Sequence, residues 1–171
     1  MWSKTRQILE SRLAENLKGR VSYHYDVYRT KGCKEKHDWW TEMHVLSIVV
    51  DGEAWFCTNP QFYRQFFRDG VYRFEEKSDN EIIRETGLVA GGFWETRAMG
   101  YIHEYLTELS IDQAINNDNY FIRLLAVLDS RLGKRRVKAL VDNIENEPEW
   151  FRKWILLRNG CTNADASTDK G

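Results

Sequence analysis

The sequence predicts an α+β fold in which an N-terminal helix and a small antiparallel sheet pack on a C-terminal helical bundle. Three observations carry that expectation. Asp51-Gly52 separates two runs of strand-forming residues, and this dipeptide suits a type I′ turn because both central positions take positive φ. From residue 93 onward apolar residues recur at intervals of three and four, the spacing of a single helix face. Two stretches beginning at Asn117 and Asn146 repeat one helical pattern, with Arg152 falling 29 residues after Arg123.

At 171 residues the chain suits one domain, or two small lobes with a common core. Its 7 Trp, 8 Tyr and 8 Phe exceed what a core of this size needs, so rings are expected both inside and at a partner groove. The net charge of −1 excludes a global field that recruits nucleic acid or an anionic membrane. Cys33, Cys57 and Cys161 are odd in number and lack a C-x-x-C spacing, which argues against a disulfide framework and for a reducing cytosol. The basic Met1 to Arg6 start precedes no apolar run, as a secretory signal would. The strongest apolar window, Val45 to Val50, is too short to span a membrane. The expected localisation is cytoplasmic.

Ser3 can cap a first helix whose apolar positions Ile8, Leu9, Leu13 and Leu17 run on until Gly19. Val21 to Val27 alternates as a half-buried strand does, with His24 on its polar side. After a charged loop, a β-hairpin is expected over about 43–58. Asn59-Pro60 opens a short helix, Gln61 to Arg68; Val71 to Phe74 reads as an edge strand and Asn80 to Thr86 as one or two helical turns. Leu88 to Gly92 is the joint between an α+β lobe, residues 1–92, and a helical lobe, residues 93–160; it lacks the Lys-Ser/Thr of a phosphate loop. Helices follow over Phe93 to Leu109 and, behind the capping box Ser110 and Gln113, over Ile111 to Asn116. Residues 161–171 read as a loose polar tail.

In the doubled unit, Phe121, Leu124, Leu125 and Leu128 share a face that Tyr120, Ala126 and Val127 broaden, so this helix should be central. The pattern acidic-x-x-x-apolar-Arg-x-x-apolar, with Gly133 to Val141 as the next helix start, resembles a short HEAT-like repeat. Two units rarely suffice for a stack, so the first half of the chain is expected to complete it. The resemblance implies that Arg123 and Arg152 tie neighbouring turns together; for Arg123 the expected partners are Asp118 or Asp129.

Between the copies lies the most basic segment, with Arg131, Lys134, Arg135, Arg136 and Lys138 as candidate binding residues. Positive charge in a helix's first turn opposes the helix dipole at about 0.3 to 1 kcal/mol per contact. The balance comes either from inside the chain, by Asp129, Asp142, Glu145 or Glu147, the favoured reading, or from an external phosphate or carboxylate.

Catalytic chemistry leaves fainter traces. Cys33 and His37 have metal-ligand spacing, but His24, His44 and Cys57 do not complete a site, so no metal and no cofactor is expected. Glu42 and His44 share a strand face, with Asp26 opposite and His103 on a helix, as the one enzyme-like cluster. No catalytic residue is assigned from it.

Met1-Trp2-Ser3-Lys4, Leu17-Lys18-Gly19-Arg20-Val21, Val50-Asp51-Gly52-Glu53 and Arg131-Leu132-Gly133-Lys134-Arg135-Arg136 together resemble a family of small uncharacterised bacterial proteins. The resemblance implies a cytosolic protein without an assigned reaction and lends no catalytic residue. The expected function is a protein-interaction module, inhibitor- or immunity-like, with a protein partner or a second copy. The alternatives are a nucleic-acid or phosphate binder using residues 131–138, and an enzyme with its site between sheet and helices.

Overall fold

A computed structural model describes residues 2–29, 42–58, 78–87 and 94–160. The elements are α1 (Trp2–Arg12), β1 (Val21–Arg29), β2 (Glu42–Val50), β3 (Glu53–Cys57), α2 (Asp79–Thr86), α3 (Trp94–Thr107), α4 (Ile111–Ile115), α5 (Tyr120–Leu128), α6 (Lys134–Asp142) and α7 (Glu149–Asn159). The fold is α+β, with an N-terminal helix, a three-stranded antiparallel sheet ordered β1-β2-β3, and C-terminal helices. The segments 61–68, 71–74, 88–92 and 161–171, with Cys33 and His37, lie outside the described residues.

The hairpin follows from its turn chemistry. Asp51 has φ 50° and Gly52 φ 90°, which brings Val50 opposite Glu53, as a type I′ turn requires. Arg20 then holds the turn from outside, its guanidinium bonding the Asp51 carboxylate at 2.6 Å. Val21, Tyr23, Leu46, Ile48, Val50 and Phe56 occupy one face of the sheet and are buried in the main core.

The first helix is shorter than its periodicity predicts. It ends at Arg12, and Glu15–Leu17 forms a separate 3₁₀ turn. The cause is a competing backbone partner: Ala14 N–H donates to the Leu128 carbonyl at 2.9 Å and Ser130 N–H to that of Arg12 at 2.7 Å. Leu13 and Asp129 thereby form an antiparallel bridge. A continuing helix would bond its own carbonyls instead. Ile8, expected on the apolar face, is 45% exposed, while Leu9, Leu13 and Leu17 are buried.

α5 is central. Tyr120, Phe121 and Ile122 and then Leu124 to Leu128 are all buried, and Phe121 stacks on Phe56 at 4.9 Å between centroids. Asn119 caps the helix by accepting from Phe121 N–H and Ile122 N–H. α7 begins 29 residues after α5, at the offset of the sequence repeat. It packs against α5 and the sheet: Phe151 lies edge-on to Tyr120 at 5.2 Å, and Trp154 edge-on to Trp55 at 5.3 Å.

Candidate functional site

The five basic residues between the repeat copies fall into two groups. Arg131 is bound to the buried Asp129: its Nε bonds both Asp129 oxygens at 3.1 Å and its Nη2 bonds Oδ2 at 2.8 Å. Arg136 pairs with Asp112 at 2.6 Å and Lys138 with Asp142 at 2.8 Å, both on the surface. Lys134 and Arg135 are exposed and have no ion-pair partner among the described residues. They stand in the first turn of α6, whose N-cap Gly133 has no side chain to accept from the free N–H groups. α2, α4 and α5 each have such a side-chain cap.

Asp129 anchors the inward side of this junction. Its side chain is 1% exposed and accepts from the Tyr105 hydroxyl, from Arg131 N–H and from the Arg131 guanidinium. Burial pushes its carboxyl upward, but the hydrogen bonds from Arg131 and Tyr105 outweigh that and hold it below the usual carboxylate range. Burial, then the bond to Asp129, pushes the Tyr105 hydroxyl far up. The Tyr105 ring is flanked by Arg12 at 5.9 Å and Arg131 at 5.7 Å. Leu9, Leu13, Tyr23 and Leu125 close the surroundings with no room for water. These groups are tightly packed structural polarity.

Arg123 is held differently from either sequence expectation. Asp118 is exposed and Asp129 belongs to Arg131; the partner is Glu147, just ahead of α7. Arg123 Nε donates to the Ile115 carbonyl at 3.1 Å, and Nη2 bonds Glu147, which also accepts from the Tyr120 hydroxyl at 3.0 Å. The guanidinium lies over Tyr120 at 4.3 Å and Phe151 at 5.1 Å. Arg152 bonds the Glu147 and Glu145 carbonyls, at 2.8 and 2.9 Å, and the Glu145 carboxylate at 2.9 Å. Both arginines therefore tie a helix to the segment before it.

A cleft of about 660 Å³ opens beside Arg123. One wall is α2 and its N-cap, with Ser78, Asn80, Glu81 and Arg84; the other is the turn between α4 and α5, with Asn116, Asn117 and Asp118. Sequence reasoning did not single out this cleft, because its walls come from separate polar segments with no shared spacing. One local signal was readable: Ser78-x-x-Glu81 is a capping box, with Ser78 N–H donating to the Glu81 carboxylate at 2.7 Å.

The enzyme-like cluster is not assembled as expected. His44 pairs across the sheet with Val27 and Asp26 with Val45, so Asp26 lies on the opposite face. His44 Nδ1 is 2.9 Å from the Tyr25 hydroxyl, and His103 is exposed on α3. His24 contacts Ser22 Oγ at 2.9 Å. Burial pushes the Cys57 thiol up, the reverse of what a reactive thiolate needs. Among the described residues no group of three His, Cys, Asp or Glu is placed to hold a metal ion, and no helix is long and apolar enough to cross a membrane.

No curated protein and no solved structure matches the chain. The family profile that does match covers residues 1–159, from the first turn of α1 to the last residue of α7. By that match the chain belongs to the SF0329 protein family, which is uncharacterised.

Proposed function

We propose that the chain is a protein-interaction module of the bacterial cytosol, of inhibitor or immunity type, which offers the start of α6 to carboxylates of a protein partner or a second copy. The observation that carries this reading is the state of Lys134 and Arg135, exposed and unpaired at an uncapped helix start. Arg131, Arg136 and Lys138 are engaged within the chain and support the surface rather than contact the partner. A partner carboxylate at this point accepts from the first-turn N–H groups and neutralises both cations. The C-terminal helices act as the scaffold, in the manner of short HEAT-like units, with Arg123 and Arg152 as their ties.

The test is capture from the native host with the whole chain and with the double variant Lys134→Glu, Arg135→Glu. The expected result is a recurrent protein partner, or self-association, that the variant loses while its circular dichroism is unchanged. A partner retained by the variant, or repeated recovery of none, overturns the proposal. A nucleic-acid partner competes for the same surface and is recognised by affinity that falls steeply with salt.

A further inference from the structure

The cleft between α2 and the α4–α5 turn is distinct from the α6 surface, and its charges can be sorted by what already holds them. Glu81 accepts from Ser78 N–H and from Ser78 Oγ at 2.7 and 2.8 Å. Arg123 is fixed by Ile115 and Glu147. Arg84 and Asp118 remain: both are exposed, on different walls, and neither has an ion-pair partner among the described residues.

The amides between them are half engaged. Asn116 Nδ2 donates to the Asp112 carbonyl at 2.9 Å, leaving its oxygen available. Asn117 Oδ1 accepts from Asn119 N–H at 2.8 Å, leaving its NH₂ available. The cleft therefore presents one cation, one carboxylate, and amide donors and acceptors. Its volume of about 660 Å³ lies within the range of about 300 to 1,000 Å³ common for small-ligand sites.

We propose that this cleft binds a short zwitterionic peptide, its carboxylate on Arg84, its ammonium on Asp118, and its amides against Asn80, Asn116 and Asn117. A planar guanidinium suits a carboxylate because it can donate two parallel bonds. A simple anion would meet Asp118 and Glu81 as well as Arg84, and a simple cation would meet Arg84. Only a ligand with both signs uses the two free charges together. The site is independent of the partner surface at α6.

Thermal melting of the full chain against a set of di- and tripeptides, with sodium acetate and methylamine as single-charge controls, tests this. At least one peptide should raise the melting temperature saturably, beyond either control. In calorimetric titration with that peptide, Arg84→Gln and Asp118→Asn should each weaken binding by about tenfold or more, the effect of losing one charge-assisted hydrogen bond. Both side chains are exposed, and circular dichroism checks that each variant stays folded. No shift with any peptide, an equal shift with a control, or unchanged affinity in both variants overturns the proposal.

Discussion

Asp129 and Glu147 hold Arg131 and Arg123 respectively, and their surroundings set different costs for losing them. Arg131 is 40% exposed beside an Asp129 that is 1% exposed. Neutralising the carboxylate in Asp129→Asn therefore leaves a guanidinium that water can still reach, and the main loss is the hydrogen-bonding of Tyr105 and Arg131. That sets the cost at about 1 to 3 kcal/mol, measured by urea denaturation at pH 7. The folded Asp129 titrates below its unfolded counterpart, so its stabilising contribution is complete above about pH 4. It is lost as the pH falls through the folded value. The stability of Asp129→Asn should consequently decline less steeply than wild type below pH 4. Equal acid slopes in the two proteins would remove Asp129 from this role.

Arg123 and Glu147 are each only 13% exposed, so removing either strands the other. Glu147→Gln and Arg123→Met should each cost about 3 to 5 kcal/mol, with the double variant costing less than their sum. Glu145, 84% exposed beside Arg152, provides the contrast: Glu145→Gln should stay within about 1 kcal/mol. Denaturant midpoints of the four variants measure both expectations. The role of Arg123 was legible in its position within an apolar helix. Its partner was not, since Glu147 lies 24 residues on and becomes a neighbour only when α7 packs against α5.

Elements were legible in the sequence where their ends are decided locally. The Asp51-Gly52 turn and the Ser110 and Gln113 capping box carry their own chemistry and form as expected. α1 departed because its end is decided by the remote backbone of Leu128 and Ser130. α2 shows a local end with a remote use. Gly87 closes it at φ +69°, and the Trp150 ring lies so close that a Cβ at Gly87 would sit 2.7 Å from Cδ2. Trp150 Nε1 also donates to the Arg84 carbonyl at 2.8 Å. Gly87→Ala combines left-handed backbone strain, about 1 to 2 kcal/mol, with this clash, and should destabilise by more than the strain alone. Trp150→Ala relieves the clash, so the double variant should be less destabilised than the two single losses added. Strict additivity in a thermal or urea series would show that Trp150 does not press on the cap. The cleft had no comparable local signature, because Arg84 and Asp118 come to line one cleft only through the packing of α2 beside α5.

At the scale of the whole molecule, the N-terminal elements and the C-terminal helices meet at several places among the described residues. α1 is bridged to residues 128–130 through backbone hydrogen bonds, and Asn16 exchanges bonds with Arg158 at 3.1 and 3.3 Å. Phe56 of β3 stacks on Phe121. Lys153 reaches from α7 to the Trp55 carbonyl at 3.1 Å and lies over the Trp55 ring at 5.2 Å. Since α5 is buried nearly all round, removing residues 1–92 would expose the face that Phe56 covers and free the Leu128 carbonyl that Ala14 engages. We therefore predict that residues 93–160 alone lose fixed tertiary packing, while the whole chain unfolds in one cooperative step. In the whole chain, tryptophan fluorescence and far-ultraviolet circular dichroism should give coincident urea transitions. A fragment with dispersed amide resonances and a sharp transition of its own would show that these helices are self-sufficient, and would reduce the contacts of α1 and β3 to docking between independent parts.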